Sequence, residues 1–251
     1  MSLFDLTGRW AIVTGANTGI GRAIAVGLAE AGADIVGVGR SAMTETAADV
    51  IAAGRNFVAV AADLSKPGAA GKVVAEALAA GATPDILVNN AGIIRRADAL
   101  DFTEEDWDAV LDTNLKSAFF LCQAFAKAAI AAERKAKIIN IASLLSFQGG
   151  IRVPSYTAAK SGLAGLTKLM ANEWAVRGIN VNAIAPGYVE TNNTTALRAD
   201  AERNADILKR IPAGRWARPE DMAGAAVFLA ASASDYVHGA ILPVDGGWLA
   251  R

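Results

Sequence analysis

The sequence is poor in the residues on which several protein classes depend. It holds one cysteine, Cys122, and one histidine in 251 residues. A lone thiol cannot close an intramolecular disulfide, and one Cys with one His cannot build a Cys/His metal site, so no metal is expected. Neither sign of charge is in excess: 24 Lys+Arg against 25 Asp+Glu leave a net charge of -1. No basic cluster exceeds the pair Arg95-Arg96, which excludes nucleic acid and anionic lipid as expected partners. No run reaches eighteen apolar residues, and the start from Met1 to Arg9 lacks the basic opening and apolar core of a signal peptide. No membrane association is expected, and the expected location is the cytoplasm. Internal repeats and Pro/Gly/Ser-rich linkers are also missing, so one domain spanning 1–251 is expected.

What the chain does have is apolar surface to bury, with 53% hydrophobic residues. A chain of this mass buries roughly 70% of its extended surface, enough for one large core. Seven apolar runs of strand length recur: Trp10 to Thr14, Asp34 to Gly39, Phe57 to Ala62, Ile86 to Asn89, Ile138 to Ala142, Asn180 to Ala185 and Ala240 to Val244. Helical patterns lie between them at Ile20 to Ala31, Met43 to Ala53, Gly71 to Ala80, Glu104 to Ala132, Ser155 to Arg177 and Pro219 to Ala230. Thr103 three residues before Asp106, and Pro219 followed by two acids, suit helix starts. Gly32, Gly54 and Gly178 stand where helices should stop. The alternation predicts an α/β fold, a doubly wound, Rossmann-like domain with a seven-stranded parallel sheet and helices on both faces. The stretch from Pro186 to Pro212 interrupts it and reads as an excursion over a site.

The first strand runs into Thr14-Gly15-Ala16-Asn17-Thr18-Gly19-Ile20-Gly21 and then a helix. Gly15 allows the tight turn, Gly19 a close approach of backbone to pyrophosphate, and Gly21 close helix packing, while the helix start offers N–H groups and a positive dipole end. The spacing G-x-x-x-G-x-G departs from G-x-G-x-x-G, and a glycine-rich turn without a ligand is the alternative. Where an NAD enzyme places an acid at the end of strand two, this chain has Gly39-Arg40. A guanidinium there suits a 2′-phosphate, so NADP is favoured, with NAD or a merely solvated Arg40 as alternatives.

Tyr156 and Lys160 stand four apart at a helix start, on one face. A phenol with pKa near 10 is a poor base at neutral pH, but a neighbouring ammonium and a positively charged nicotinamide favour its phenolate. Ser143, just past the fifth strand, could hold a substrate oxygen. By spacing alone a Tyr/Lys pair is more often an ordinary solvated face.

Taken together, Thr14-Gly15-xxx-Gly19-Ile20-Gly21, Asn89-Asn90-Ala91-Gly92, Asn114, Ser143, Tyr156-xxx-Lys160 and Pro186-Gly187 resemble the short-chain dehydrogenases/reductases across nearly the whole chain. The resemblance implies a tetrad in which Tyr156 is the general acid/base and Ser143 orients the reacting oxygen. In it Lys160 bonds the nicotinamide ribose and lowers the Tyr156 pKa, and Asn114 holds a relay water. It implies cofactor contacts from Gly15, Asn17, Thr18, Gly19, Ile20, Gly21 and Arg40, from Asp63 and Leu64 at the adenine, and from Asn90, Ala91 and Gly92. Pro186, Gly187, Val189 and Thr191 would receive the carboxamide. Asp63 also reads as an Asx turn, and Asn114 as a buried helix amide.

The segments Ile93 to Arg96, Leu144 to Tyr156, Leu169 to Trp174 and Val244 to Arg251 are similar to the sugar-acid branch of that family, the gluconate-type dehydrogenases. A carboxylate substrate wants a two-pronged guanidinium. Arg152 is the first choice, with Arg95 and Arg96 beside it, while Gln148, Asn192 and Asn193 could bond sugar hydroxyls. Arg96 pairing with Asp98 or Asp101 at the surface is the alternative. The expected reaction is hydride transfer between nicotinamide and a secondary alcohol or ketone of a sugar acid. The competing readings are a 3-oxoacyl-thioester reductase and a non-catalytic nucleotide-sensing module. The resemblance also implies a homotetramer.

Overall fold

The computed structural model describes residues 3–250. Met1, Ser2 and Arg251, which the reading of the two chain ends touched, lie outside the described residues. Seven strands form one sheet: β1 (Trp10–Thr14), β2 (Asp34–Gly39), β3 (Phe57–Ala61), β4 (Pro84–Asn89), β5 (Ala136–Ile141), β6 (Ile179–Pro186) and β7 (Ile241–Val244). Their order is β3-β2-β1-β4-β5-β6-β7, and every pairing is parallel. The helices are α1 (Gly19–Glu30), α2 (Thr44–Ala52), α3 (Ala69–Ala79), α4 (Glu104–Leu111), α5 (Ser117–Ala131), α6 (Pro154–Trp174), α7 (Thr195–Ala199), α8 (Ala201–Arg210) and α9 (Ala223–Ala230).

Strand periodicity divides the core into two layers. Val13, Ile35, Val88, Ile139 and Ile184 pack with Ile24 and Leu28 of α1 and Leu229 of α9. Their neighbours Ile12, Val36, Leu87, Ile138 and Val181 pack on the other face with Val73 of α3, Leu121 and Phe125 of α5 and Met170 of α6. Side chains alternate along a strand, so a sheet covered on both faces must be apolar at successive positions. The strand order reverses between β1 and β4. Crossovers leave the sheet in opposite directions there, which opens a crevice at the carboxyl ends of the strands.

The expected doubly wound sheet is present, with element ends moved by up to three residues, the largest at α6, whose expected last turn to Arg177 is a 3₁₀ turn. Three expectations need correction. The helix expected from Glu104 to Ala132 is broken by a π-helical turn at Asp112–Lys116. The helix expected from Pro219 opens as a 3₁₀ turn, Pro219–Met222, before α9. The excursion from Pro186 to Pro212 contains α7 and α8; the Asp200 carboxylate caps α8 by accepting from the Arg203 N–H at 3.0 Å. Gly32, Gly54 and Gly178 do terminate helices, with φ of +109°, +74° and +77°.

A polar thread runs through the buried sheet. Asn89 Nδ2 donates to Asn140 Oδ1 at 2.9 Å and to Cys122 Sγ at 3.0 Å, while Asn140 Nδ2 donates to Thr167 Oγ1 at 2.9 Å. It ties β4, β5, α5 and α6 at one level. Burial raises the Cys122 thiol to about 12, so this cysteine is a packed neutral group. Asn140→Ala would strand the Asn89 donor, and unfolding in urea should show a loss of about 1–3 kcal/mol. An unchanged midpoint would mean that the thread contributes nothing.

Candidate active site

The two ends of the crevice are stitched together by Thr14 and Asn90. Thr14 Oγ1 donates to the Val88 carbonyl at 3.3 Å and accepts the N–H groups of Asn90 and Ala91, each at 2.9 Å. Asn90 Nδ2 returns a bond to the Thr14 carbonyl at 2.9 Å. Gly15 and Gly19 have φ of +66° and +54°, in the left-handed region that favours glycine. A Cβ on Gly21 would lie 2.1 Å from the Gly15 oxygen and 2.4 Å from Asn90 Nδ2. No side chain fits at position 21, so the start of α1 packs directly on the turn's backbone and on Asn90. Thr18, before α1, makes no capping bond and the first turn of α1 has no acid. Its leading N–H groups therefore lack side-chain partners, as a phosphate site requires. Ile20 turns inward and packs on the core.

Beyond β2, Arg40 and Ser41 are exposed, and Asn17 Nδ2 donates to Ser41 Oγ at 2.8 Å. Ser41 escaped the sequence reading, although a hydroxyl beside an arginine at this strand end was a usable signal. Asp63 forms the Asx turn that the sequence allowed, accepting from Ser65 Oγ at 2.8 Å and Ser65 N at 3.1 Å. Those bonds hold its carboxyl below the usual range, and Arg40 adds to the effect. Leu64 follows it. On the far side, a Cβ on Gly187 would press within 2.7 Å of Asp245 Cα, while Val189 is buried in the core. Thr191 lies over the turn, its Cγ2 being 3.5 Å from where a Gly19 Cβ would sit.

Tyr156 and Lys160 share the first turns of α6. Lys160 is buried, its Nζ donating to the Ile141 carbonyl at 2.5 Å and lying 5.5 Å from the centroid of the Tyr156 ring. Burial lowers its ammonium to about 8. The half-buried Tyr156 phenol stands above its ordinary value because of burial, which outweighs the lowering by the Ser143 hydroxyl and by the charge of Arg96. Ser143, at the end of β5, caps a 3₁₀ turn by accepting from the Leu145 N–H at 3.2 Å.

Asn114 sits in the π turn and is buried. Its Oδ1 accepts from Ile93 N and its Nδ2 donates to Ile93 O, both at 2.8 Å. This side chain thus fixes the loop after β4. A π turn widens the helix locally and carries this side chain to both polar atoms of Ile93. Above it, Gly92 leaves room for the Asn114 amide, 3.2 Å from a Cβ that is not there.

The three arginines separate. Arg95 pairs with Asp106 at 3.0 Å, and Arg152, the first choice from sequence, pairs with Asp98 at 3.4 Å in an exposed pair. Arg96 is the one whose charge reaches Tyr156, and its Nη2 donates to the Asn193 carbonyl at 3.1 Å. It meets neither Asp98 nor Asp101 as an ion-pair partner among the described residues. Asn192 and Asn193 are exposed on the loop after β6, and Gln148 Oε1 already accepts from the Trp248 indole N–H at 3.3 Å.

A crevice with a glycine-rich phosphate turn, and a Ser, Tyr and Lys at its far end, is the site of a nucleotide-linked oxidoreductase. Comparison with known proteins agrees. The family profile described as Enoyl-(Acyl carrier protein) reductase matches residues 15–249. The chain is 60% identical to the 2-dehydro-3-deoxy-D-gluconate 5-dehydrogenase of Escherichia coli strain K12 over 251 residues, 100% of this chain and 99% of that one. It is 64% identical, with a TM-score of 0.95 and full coverage of both chains, to an Agrobacterium tumefaciens structure described as a 2-deoxy-D-gluconate 3-dehydrogenase with bound NADP. A Beutenbergia cavernae structure described as an NAD(P)-dependent gluconate 5-dehydrogenase, also with NADP, is 53% identical with a TM-score of 0.95, both chains being fully covered. The chain belongs to the short-chain dehydrogenase/reductase family.

The buried Lys160 makes a stability prediction. An unfolded lysine stays protonated to about 10.4, whereas this one gives up its proton near 8. The unfolded chain then binds more protons between these values, so the contribution of Lys160 to stability should rise with pH across that window and stay at its minimum below it. Unfolding free energies of wild type minus Lys160→Met, measured from pH 7 to 10, should climb; a flat difference would contradict the assignment.

Proposed function

We propose that this protein is an NADP-linked dehydrogenase that interconverts a secondary alcohol and a ketone on a gluconate-type sugar acid, with 2-dehydro-3-deoxy-D-gluconate reacting at C5 as its first substrate. The observation that carries the reading is the setting of Tyr156: beside Ser143 and Lys160, under the charge of Arg96, at the end of the crevice that begins with the phosphate turn. The 60% identity over the whole chain to a 5-dehydrogenase supports the choice of substrate, and the NADP bound in the Agrobacterium relative supports the cofactor.

The residues present fit NADP, since Gly21, where any Cβ would strike the Gly15 oxygen and Asn90, lets the start of α1 close on the turn, and strand two is followed by Arg40 and Ser41 rather than an acid. Bound NADP supplies a hydride acceptor at nicotinamide C4 and, when oxidised, a positive charge. Gly15 to Gly21, with Asn17, Thr18 and Ile20, would hold the pyrophosphate, Arg40 and Ser41 the 2′-phosphate, and Asp63 and Leu64 the adenine. Asn90, Ala91, Gly92 and the segment Pro186, Gly187, Val189 and Thr191 would hold the nicotinamide end. In this mechanism Ser143 Oγ holds the reacting oxygen of the substrate. Tyr156 Oη takes the alcohol proton during oxidation and returns it during reduction. Lys160 keeps its ammonium at the Tyr156 ring, anchored on Ile141. Arg96 presents its guanidinium to the substrate carboxylate, with Gln148, Asn192 and Asn193 around the hydroxyls.

We read the chain as one domain whose segment 186–212 closes the substrate side, and as a cytoplasmic enzyme working where its nucleotide pool lies. Among the described residues no helix is long and apolar enough to cross a membrane. Exposed Trp107, Phe120 and Leu169 on α4, α5 and α6 support assembly of copies through these helices, and we infer a homotetramer. Sedimentation as a monomer would refute that. The acyl-carrier wording of the family profile favours one second reading, a thioester reductase.

The test follows reduced-cofactor absorbance with purified protein, offering NADP and NAD against 2-dehydro-3-deoxy-gluconate, 2-deoxy-gluconate, gluconate and their keto partners. Turnover should favour NADP, and Arg40→Ala should erode that preference about ten- to hundredfold, as loss of one charged hydrogen bond predicts. Tyr156→Phe should lower kcat about 10²- to 10⁴-fold while NADPH binding persists. Reduction of acetoacetyl thioesters with no sugar-acid turnover would transfer the assignment to the second reading; NADPH binding without any turnover would point to a sensor.

A further inference from the structure

Two guanidinium groups reach the loop after β6, and neither meets a carboxylate among the described residues. Arg96 donates to the Asn193 carbonyl. Arg198, on α7, reaches back seven residues to the Thr191 carbonyl, where its Nη2 makes a bond stretched to 3.5 Å. Its Nε is buried and has no hydrogen-bond partner among the described residues. By contrast Arg22, Arg55, Arg95, Arg152 and Arg215 each lie within 4 Å of an Asp or Glu oxygen. An arginine offers five N–H donors in a fixed fork, and a buried donor without an acceptor is costly. One long bond to a carbonyl returns little of that cost, so the Arg198 fork is poised for an acceptor that arrives with a ligand.

The position narrows the ligand. Thr191, on which Arg198 rests, lies over Gly19 of the phosphate turn, and Arg96 of the loop after β4, bonded two residues further along at the Asn193 carbonyl, acts on the Tyr156 phenol. The segment Thr191–Asn193 thus bridges the phosphate turn and the proton-transfer centre, and Arg198 stands on it. Guanidinium forks match carboxylate and phosphate oxygens bidentately.

We propose that Arg198 binds an anionic oxygen of a bound reactant and thereby holds α7 down over the loaded crevice. The assignment rests on the sugar-acid dehydrogenase reading above, which supplies two sources of that oxygen: the substrate carboxylate and a nucleotide phosphate. The experiment separates them with Arg198→Gln and Arg198→Lys, measuring the NADPH Kd by fluorescence energy transfer and the sugar-acid KM at saturating NADP, beside thermal melting. One of the two constants should rise about ten- to hundredfold in Arg198→Gln, and Arg198→Lys should recover part of the loss because it keeps the charge without the fork. A rise in KM alone assigns the carboxylate; a rise in the NADPH Kd alone assigns a phosphate. Both constants at wild-type values in a variant that melts like wild type would overturn the proposal. So would a rise in both together with a lowered Tm, the mark of a merely structural arginine. If Arg198→Gln does not fold, Arg198→Lys decides by the same criteria. A wild type that binds NADPH but turns over no sugar acid defeats the functional reading instead, and Arg198 is then judged on the NADPH constant alone.

Discussion

Everything at the site depends on the seam between β1 and β4. A parallel sheet wound in both directions must open a gap where its crossovers diverge, and the backbone groups facing that gap need partners. Thr14 and Asn90 provide them from side chains, each bonding the other strand's main chain. Because the seam is closed from within, the glycines after Thr14 are free to form the turn. The start of α1 then faces the crevice with its N–H groups still available.

The second constraint is a buried cation. Taking a lysine out of water favours its neutral form, and the fall of Lys160 to about 8 shows how strongly this site does so. The ammonium is retained by the Ile141 carbonyl, at the end of the strand next to Ser143. The same strand carries Asn140, which bonds Thr167 two turns further along α6 from Lys160. Strand and helix are thus registered at two levels, and a shift of α6 would break both. That registration brings a tyrosine and a serine thirteen residues apart into one constellation.

The far wall is built differently. The segment after β6 holds few apolar residues, and its helix α8 rests on a small separate cluster in which Ile207 and Ile211 pack with Leu144, Trp216 and Trp248. Trp248 is also gripped by Arg210, whose guanidinium lies 4.1 Å from the ring centroid, and by Gln148. The carboxyl-terminal segment and the loop after β5 are therefore linked through one indole. A wall held by a satellite cluster opens at lower cost than the sheet core, which suits the face through which a substrate would enter.

Periodicity and punctuation were enough to read the sheet, its seven strands, the helix-stopping glycines and the phosphate turn, because each is decided by local pattern: alternation on a pleat, or a backbone angle that only glycine adopts readily. The Tyr156 and Lys160 pair was legible as one helix face for the same reason. Contacts between distant segments were not legible. Arg152 and Arg96 look alike in sequence, yet Asp98 takes the charge of one while the fold turns the other toward Tyr156. The π turn that brings Asn114 to Ile93, the Ser41 hydroxyl beside Arg40 and the Arg198 Nε without a partner among the described residues belong to the same kind. Nor could sequence reveal that the phenol starts above its ordinary value, since that depends on how much water the folded chain excludes. Local rules act through neighbours along the chain, whereas the partner of a charge and the dielectric around it are set by whatever else the fold brings within a few ångströms.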